Sequence, residues 1–153
     1  MAYADDLLQD ALELATRGTQ NLKQSSLRRA VSTAYYAAFH LLVADFVSHW
    51  SVPEQRTRLA RMFEHRRMSG AVLEIRDKQE PSPVESQLKQ LIAKFTELQT
   101  HRNQADYNTD KSWSPSEVST TLRNADQIFA IWKAIRTEKI AQDHLMSMFG
   151  ARH

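Results

Sequence analysis

The segment that decides the fold is Arg28-Arg29-Ala30-Val31-Ser32-Thr33-Ala34-Tyr35-Tyr36-Ala37-Ala38-Phe39-His40. Its pattern predicts a helix that is apolar almost all round, and such a helix belongs at the centre of a bundle. One face is nevertheless polar, because Arg29, Thr33, Tyr36 and His40 follow one another at helical spacings of four, three and four residues. This polar stripe either faces solvent, satisfies buried hydrogen bonds, or lines a groove within or between subunits.

The rest of the chain predicts further helices and no strand. Three serines, each followed by a glutamate three positions on, have the form of a capping box and mark helix starts at Ser51, Ser82 and Ser114. We predict helices over residues 3–17, 24–50, 53–68, 84–107 and 115–148, with a less regular helical turn over 71–79. Long helices joined by short loops pack side by side. The predicted fold is therefore all-α, an up-and-down antiparallel bundle of four to five helices forming one domain over residues 1–153.

Composition excludes several classes of function. The chain has 153 residues, a formal charge of +2 and no cysteine, so disulfides, thiolate chemistry and cysteine-ligated metals are excluded. The histidines lack metal-binding spacing and no glycine-rich phosphate loop is present, so we expect neither a metal nor a cofactor. The N-terminus lacks the pattern of a signal peptide, and the apolar stretch 34–47 is too short to span a bilayer. We expect a cytoplasmic protein that does not enter a membrane.

A second polar segment lies far downstream, at Arg102-Asn103-Gln104-Ala105-Asp106-Tyr107. It extends the apolar stripe of the helix predicted over 84–107, so Arg102 falls on a face that should point into the bundle. A guanidinium there needs a counter-charge or a bound anion, because it does not lose its proton. Arg102 either pairs with Asp106 one turn later or presents its planar fork to a phosphate.

The two segments together resemble the HEPN superfamily (higher eukaryotes and prokaryotes nucleotide-binding domain). The resemblance rests on the Arg-rich start, the Ala-Tyr-Tyr-Ala-Ala-Phe-His core and the later Arg-Asn-x-Ala-Asp-Tyr, and it is closest to small stand-alone prokaryotic members. It implies a helical bundle that is often a homodimer with a polar cleft at the interface. Many members are metal-independent ribonucleases, and some are toxins paired with a nucleotidyltransferase antitoxin.

The ribonuclease motif of that family is incomplete in this chain. Arg102 matches the arginine of the motif, but Tyr107, Asn108 and Thr109 hold the positions of its histidine, so the segment is similar to an Ala-Asp-Tyr variant. Metal-free RNA cleavage needs groups that exchange protons near neutral pH, and tyrosine titrates too high to act as the base. His40 is a substitute, and so is His101, although His101 points about 100° away from Arg102 around the helix.

The resemblance leads to a functional prediction with two alternatives. We predict an RNA- or nucleotide-binding protein, the toxin component of a toxin–antitoxin or defence-type system, in which phosphate meets Arg28, Arg29, Tyr36 and Arg102. If it is an enzyme, it is a metal-independent endoribonuclease, and the catalytic candidates are Arg102, Asp106, Tyr107 and His40. One alternative is a non-catalytic dimerisation or interaction module. The other is a partner of a separate nucleotidyltransferase that modifies it, on Tyr107.

Two further features of the sequence carry open alternatives. A basic cluster from Arg56 to Arg67 either steers RNA toward the domain or forms an ordinary solvated face. The apolar tail Leu145-Met146-Ser147-Met148-Phe149 either covers the core of its own subunit or reaches a partner.

Overall fold

Five helices run through the part of the chain that the computed structural model describes, which comprises residues 2–21, 23–48, 54–55 and 82–150. They are α1 (Tyr3–Asn21), α2 (Gln24–Ser48), α3 (Pro83–Tyr107), α4 (Pro115–Ile135) and α5 (Lys139–Gly150). No strand occurs in these residues, so the predicted all-α class is confirmed. The helices predicted over 53–68 and 71–79, the capping box at Ser51 and the basic cluster Arg56–Arg67 lie outside the described residues, apart from helical Glu54 and Gln55.

Side-chain contacts fix the direction of the helices. Along α2, Arg28 bonds to the carbonyl of Ala105 while Tyr35, two turns further on, packs against Phe95, so α2 and α3 run antiparallel. A connection of two residues joins α1 to α2, and helices joined this closely pack as an antiparallel hairpin. The up-and-down arrangement follows from these contacts.

The centre of the bundle is α2, which contacts α1, α3 and α4. Its buried residues lie on nearly all sides and include Leu27, Val31, Leu42 and Val43. At 25 residues, α2 is longer than the apolar stretch 34–47 and is long and apolar enough to cross a membrane by length and composition. However, 67% of its apolar window is buried inside the bundle, as a core helix requires. Burial, rather than length, therefore marks α2 as a core helix.

The end of α1 differs from the prediction. The sequence pattern predicts that this helix ends at residue 17, before Gly18, but α1 continues to Asn21 and contains that glycine. A Cβ at Gly18 would lie 2.7 Å from Leu27 Cδ2 and 3.2 Å from the Leu27 backbone nitrogen. Glycine is favoured here because the start of α2 approaches α1 so closely that a Cβ would force Leu27 to shift. The glycine thus serves helix packing and does not terminate the helix.

The starts of α3 and α4 confirm two of the predicted capping boxes. The Glu85 amide donates to Ser82 Oγ at 3.2 Å, and the Ser82 amide donates to Glu85 Oε1 at 3.0 Å. Ser114 and Glu117 make the same reciprocal bonds, both at 3.1 Å. A hydrogen bond from Lys111 and the backbone amide of Ser114 lower the pKa of Glu117. Each box satisfies amides that the first turn of a helix leaves without partners.

The single helix predicted over 115–148 is wrong, because the chain turns at residues 136–138 between α4 and α5. No glycine or proline marks this turn. It is held by tertiary bonds: the Asp45 carboxylate accepts from both Trp132 Nε1 and Arg136 Nη2, and Gln142 Nε2 donates to the Arg136 carbonyl at 3.0 Å. The turn lets Leu145 of the apolar tail enter the core, while Met146 stays exposed.

Candidate functional site

A polar groove lies where the first half of α2 meets the end of α3. Its volume is about 410 Å³. We call it the α2–α3 groove, and its walls are Ser25, Arg28, Arg29, Ser32, Thr33 and Tyr36 of α2 with Ala105 and Asp106 of α3. Guanidinium and hydroxyl groups dominate this lining, and both are common contacts of phosphate oxygens.

Arg102 lies beside this groove with 18% of its side chain exposed. The guanidinium carbon is 4.8 Å from the centre of the Tyr35 ring and 5.8 Å from the centre of the Tyr36 ring, so the cation packs on two aromatic faces. Its Nη1 is 3.9 Å from Asp106 Oδ2, which is an ion pair too long for a hydrogen bond. The buried Nε has no hydrogen-bond partner. The predicted pairing with Asp106 is therefore present but loose, and Arg102 keeps donor capacity.

Burial raises the pKa of Tyr35, and the positive charge of Arg102 offsets only part of that rise. Tyr35 is the buried member of the tyrosine pair and stacks with Phe39 at 6.1 Å between ring centres. Its hydroxyl consequently remains protonated at neutral pH. Tyr35 supports the guanidinium of Arg102 and does not act as a base.

Asp106 connects the two helices that form the groove. Its Oδ1 accepts a hydrogen bond from Ser32 Oγ of α2, and its Oδ2 faces Arg102 of its own helix. Both carboxylate oxygens are thus engaged by the protein. Asp106 fixes the edge of the groove and holds Arg102 near it.

The two adjacent arginines of α2 have different roles. Arg28 donates from Nη1 to the carbonyls of Ala105 at 2.9 Å and Asn108 at 3.0 Å, and from Nη2 to those of Thr109 at 3.2 Å and Lys111. It therefore caps the C-terminus of α3, where unpaired carbonyls and the helix dipole favour a cation. Arg29 is exposed, and among the described residues it has no hydrogen-bond or ion-pair partner.

Two tyrosines near the groove present rings to solvent. Tyr36 lines the groove and is 40% exposed, with its ring edge-on to Tyr35 at 5.4 Å. Tyr107 follows Asp106 at the end of α3 and is 74% exposed, but it does not line the groove. The structure thus brings Arg28, Arg29, Tyr36 and Asp106 to one groove, with Arg102 beside it and Tyr107 next to its edge.

Neither candidate histidine joins this group. His40 lines a different groove, between α1 and α2, where its ring contacts Tyr3 at 5.1 Å. His101 faces α4, where its Nδ1 lies 2.9 Å from Thr121 Oγ1 and its ring meets Trp113 edge-on. The four catalytic candidates therefore do not share one groove: Asp106 lines the α2–α3 groove with Arg102 beside it, Tyr107 lies outside it, and His40 lines the other groove. Within residues 2–21, 23–48, 54–55 and 82–150, no group of three or more histidines or acidic residues is placed to hold a metal.

Sequence reasoning missed two polar residues that build this region. Ser32 holds Asp106 across the helix pair, and Gln24 bonds to both backbone groups of Trp113, at 2.8 Å each. Gln24, Arg28 and Ser32 are spaced by four residues along α2, and this second polar row was the available signal. Together they join the first half of α2 to the end of α3 and to the loop that follows it.

Comparison with known proteins gives one match. The sequence model of a family described as the HEPN domain matches residues 4–135, which include every residue of the α2–α3 groove. Neither the curated proteins nor the solved structures contain a match to the chain. A HEPN domain indicates a function related to nucleotides or RNA in general, and HEPN domains commonly dimerise.

Proposed function

The chain belongs to the HEPN domain family, and from this premise we propose that it binds the phosphate of RNA or of a nucleotide in the α2–α3 groove. We place it, as one HEPN domain over residues 1–153, in a prokaryotic toxin–antitoxin or defence-type system in the cytoplasm. In this proposal it acts as a homodimer, as HEPN domains commonly do.

The observation that carries the proposal is Arg29, an exposed guanidinium that no described residue pairs, in a groove lined with hydroxyls. An arginine fork and neighbouring hydroxyls match the geometry of phosphate oxygens. The surroundings favour an anion as well, because the guanidiniums of Arg28, Arg29 and Arg102 outnumber the one carboxylate, that of Asp106.

Arg102 lies beside the groove and supplies a second cation for the phosphate. Packing against Tyr35 and Tyr36 orients its guanidinium, and its pairing with Asp106 at 3.9 Å is loose enough to yield to a phosphate oxygen. We therefore assign Arg29 to the first contact with the phosphate and Arg102 to a second contact that requires a shift of Asp106.

Binding, rather than cleavage by one chain, is the activity we propose. RNA cleavage without a metal requires a proton acceptor and a proton donor near the phosphate. In this chain Tyr107 occupies a position where the family motif has histidine, and His40 lies in the other groove. The groove thus supplies positive charge, but none of the residues that line it is of a type that ordinarily exchanges protons near pH 7.

A second candidate function is supported by the exposure of Tyr107. Its side chain is 74% exposed at the end of α3, so its hydroxyl is accessible to another protein. A separate nucleotidyltransferase could modify it there. Mass spectrometry after incubation with such an enzyme and a nucleoside triphosphate tests this, and an unmodified Tyr107 would reject it.

The experiment for the main proposal measures RNA binding by fluorescence anisotropy over a range of salt concentrations. Arg29→Ala should weaken binding at least several-fold and lower the slope of log K against log salt by about 1, because one phosphate contact is lost. The matched control is Arg123→Ala, which removes an exposed arginine from α4 outside the groove. Equal affinities of wild type and Arg29→Ala would refute the proposal. A folded wild type that binds neither RNA nor nucleotide would favour the non-catalytic interaction module.

A further inference from the structure

A second groove lies along the later half of α2, on the side that faces the start of α1. We call it the α1–α2 groove. Its volume is about 400 Å³. Tyr3 and His40 line it, together with an aliphatic surface that includes Val43, Ala44 and Val47. Nothing in the phosphate-binding proposal uses this groove.

Two aromatic rings form walls of the α1–α2 groove. The centres of the Tyr3 and His40 rings are 5.1 Å apart, and their planes are inclined by 71°. Tyr3 is 63% exposed, so the face of its ring is accessible to a ligand. Exposed rings of this kind are the platforms on which unpaired nucleobases stack.

The charges around this groove are already neutralised. Lys133 pairs with Asp5 at 2.9 Å, and Arg136 pairs with Asp45. The groove thus offers aromatic and aliphatic surface without an unpaired cation. Such a surface suits a flat, uncharged group and not a phosphate, in contrast to the α2–α3 groove with its exposed Arg29.

The two grooves lie along the same face of α2. Arg29, Tyr36 and His40 lie on the same face of α2, and the helix rises about 16 Å between Arg29 and His40. Tyr36, which is half exposed, lies between the two ends. A phosphate at Arg29 and a flat group at Tyr3 could therefore belong to one extended ligand that spans a few nucleotides.

We propose that the α1–α2 groove is a base subsite for single-stranded RNA. One unpaired base stacks on the face of Tyr3 with its edge toward His40, while the strand continues past Tyr36 and a phosphodiester is held at Arg29. The strand must be single, because the bases of an RNA duplex are paired and cannot be stacked on side chains. The inference rests on the proposed function and narrows its ligand from any RNA or nucleotide to a short single strand.

The test compares oligoribonucleotides of increasing length, from a mononucleotide to an octamer, against the full chain. Tyr3→Ala should weaken binding of the tetramer and octamer about ten-fold, the usual cost of losing one stacked base, and leave the mononucleotide unaffected. Tyr3→Phe should restore wild-type affinity, because it keeps the ring. Leu12→Ala is the matched control, since it removes another exposed large side chain of α1 outside both grooves.

A fluorescent base separates stacking from a general loss of structure. With 2-aminopurine placed along the tetramer, wild type and Tyr3→Phe should quench the fluorescence at one position, and Tyr3→Ala should not. If Arg29→Ala weakens the binding of oligonucleotides of every length while Tyr3→Ala weakens the binding of none, the base subsite is refuted and phosphate binding in the α2–α3 groove stands. If a duplex of the same sequence binds as well as the single strand, the subsite is equally refuted. If no oligonucleotide binds, both proposals fail.

Discussion

Replacing Arg28 with alanine removes the guanidinium that joins the start of α2 to the end of α3. Four backbone carbonyls then lose the bond from Arg28, those of Ala105, Asn108, Thr109 and Lys111, although the Asn108 carbonyl keeps a bond from the Lys111 amide at 3.3 Å. These carbonyls end α3 and begin the loop that leads to α4, so Asp106 and Tyr107 lie on the backbone that Arg28 holds. The structure therefore predicts that Arg28 is a stabilising clamp, although it also lines the groove.

The size of the effect follows from which carbonyls water can reach. The bonds to Asn108 and Thr109 are exposed, so water replaces the arginine there at little cost. The bonds to Ala105 and Lys111 are partly buried, and a bond to a charged donor contributes about 1.5–3 kcal/mol. With partial rehydration, Arg28→Ala should lower the free energy of unfolding by about 2–4 kcal/mol. Arg28→Lys should recover part of this loss, because an ammonium reaches fewer carbonyls than the planar fork.

Urea unfolding followed by far-UV circular dichroism measures this change. Arg29→Ala is the control: it removes a neighbouring exposed arginine and should alter the free energy of unfolding by less than about 0.5 kcal/mol. The role of Arg28 as a stabilising clamp would be refuted if its removal left the free energy of unfolding unchanged. If Arg28→Ala unfolds like wild type but lowers the slope of log K for RNA binding against log salt by about 1, Arg28 contacts a phosphate of the ligand directly.

Two further predictions concern the bundle. Gly18→Ala should destabilise the fold by about 1–3 kcal/mol despite the better helix propensity of alanine, because the new Cβ meets Leu27. In a Leu27→Ala background, whose smaller side chain frees the space, urea unfolding should show Gly18→Ala to be neutral or stabilising, and an unchanged penalty would contradict the packing argument. Tyr35→Phe should change the response to alkaline pH. The folded state keeps Tyr35 protonated above pH 10.0, where the unfolded chain loses that proton, so wild-type stability falls with rising pH and part of this fall is absent in Tyr35→Phe. A difference in the free energy of unfolding that stays constant between about pH 9 and pH 11 would contradict this.

Local chemistry explains which parts of the fold the sequence could predict. The capping boxes at Ser82 and Ser114 are formed by residues three positions apart, so their outcome depends little on the rest of the chain. The interior of α1 and the turn after α4 depend on distant partners, Leu27 for Gly18 and Asp45 for Arg136. A glycine looks the same in the sequence whether it ends a helix or admits a neighbour. A turn built on tertiary bonds leaves no local mark.

The same distinction applies to the candidate site. The four-residue spacing of Arg102 and Asp106 predicted their pairing, but not the separation of 3.9 Å, which follows from the packing of Arg102 on two tyrosines. The spacing of Tyr36 and His40 placed both on one face of α2, and they do lie on it. It did not indicate that α1 and α3 divide this face into two grooves, because that depends on which helix covers each end.

The adjacent pair Arg28-Arg29 shows why the functional assignment needed the tertiary structure. Successive residues of a helix point about 100° apart, so two neighbouring arginines cannot serve one phosphate equally. The structure directs Arg28 to the end of α3, where four carbonyls occupy it, and leaves Arg29 exposed in the groove. If RNA binds, the free guanidinium should meet it first, while the occupied one keeps the groove in shape. Stability loss from Arg28→Ala and affinity loss from Arg29→Ala should therefore be separable, and a variant pair in which both effects fall on one arginine would overturn this division of roles.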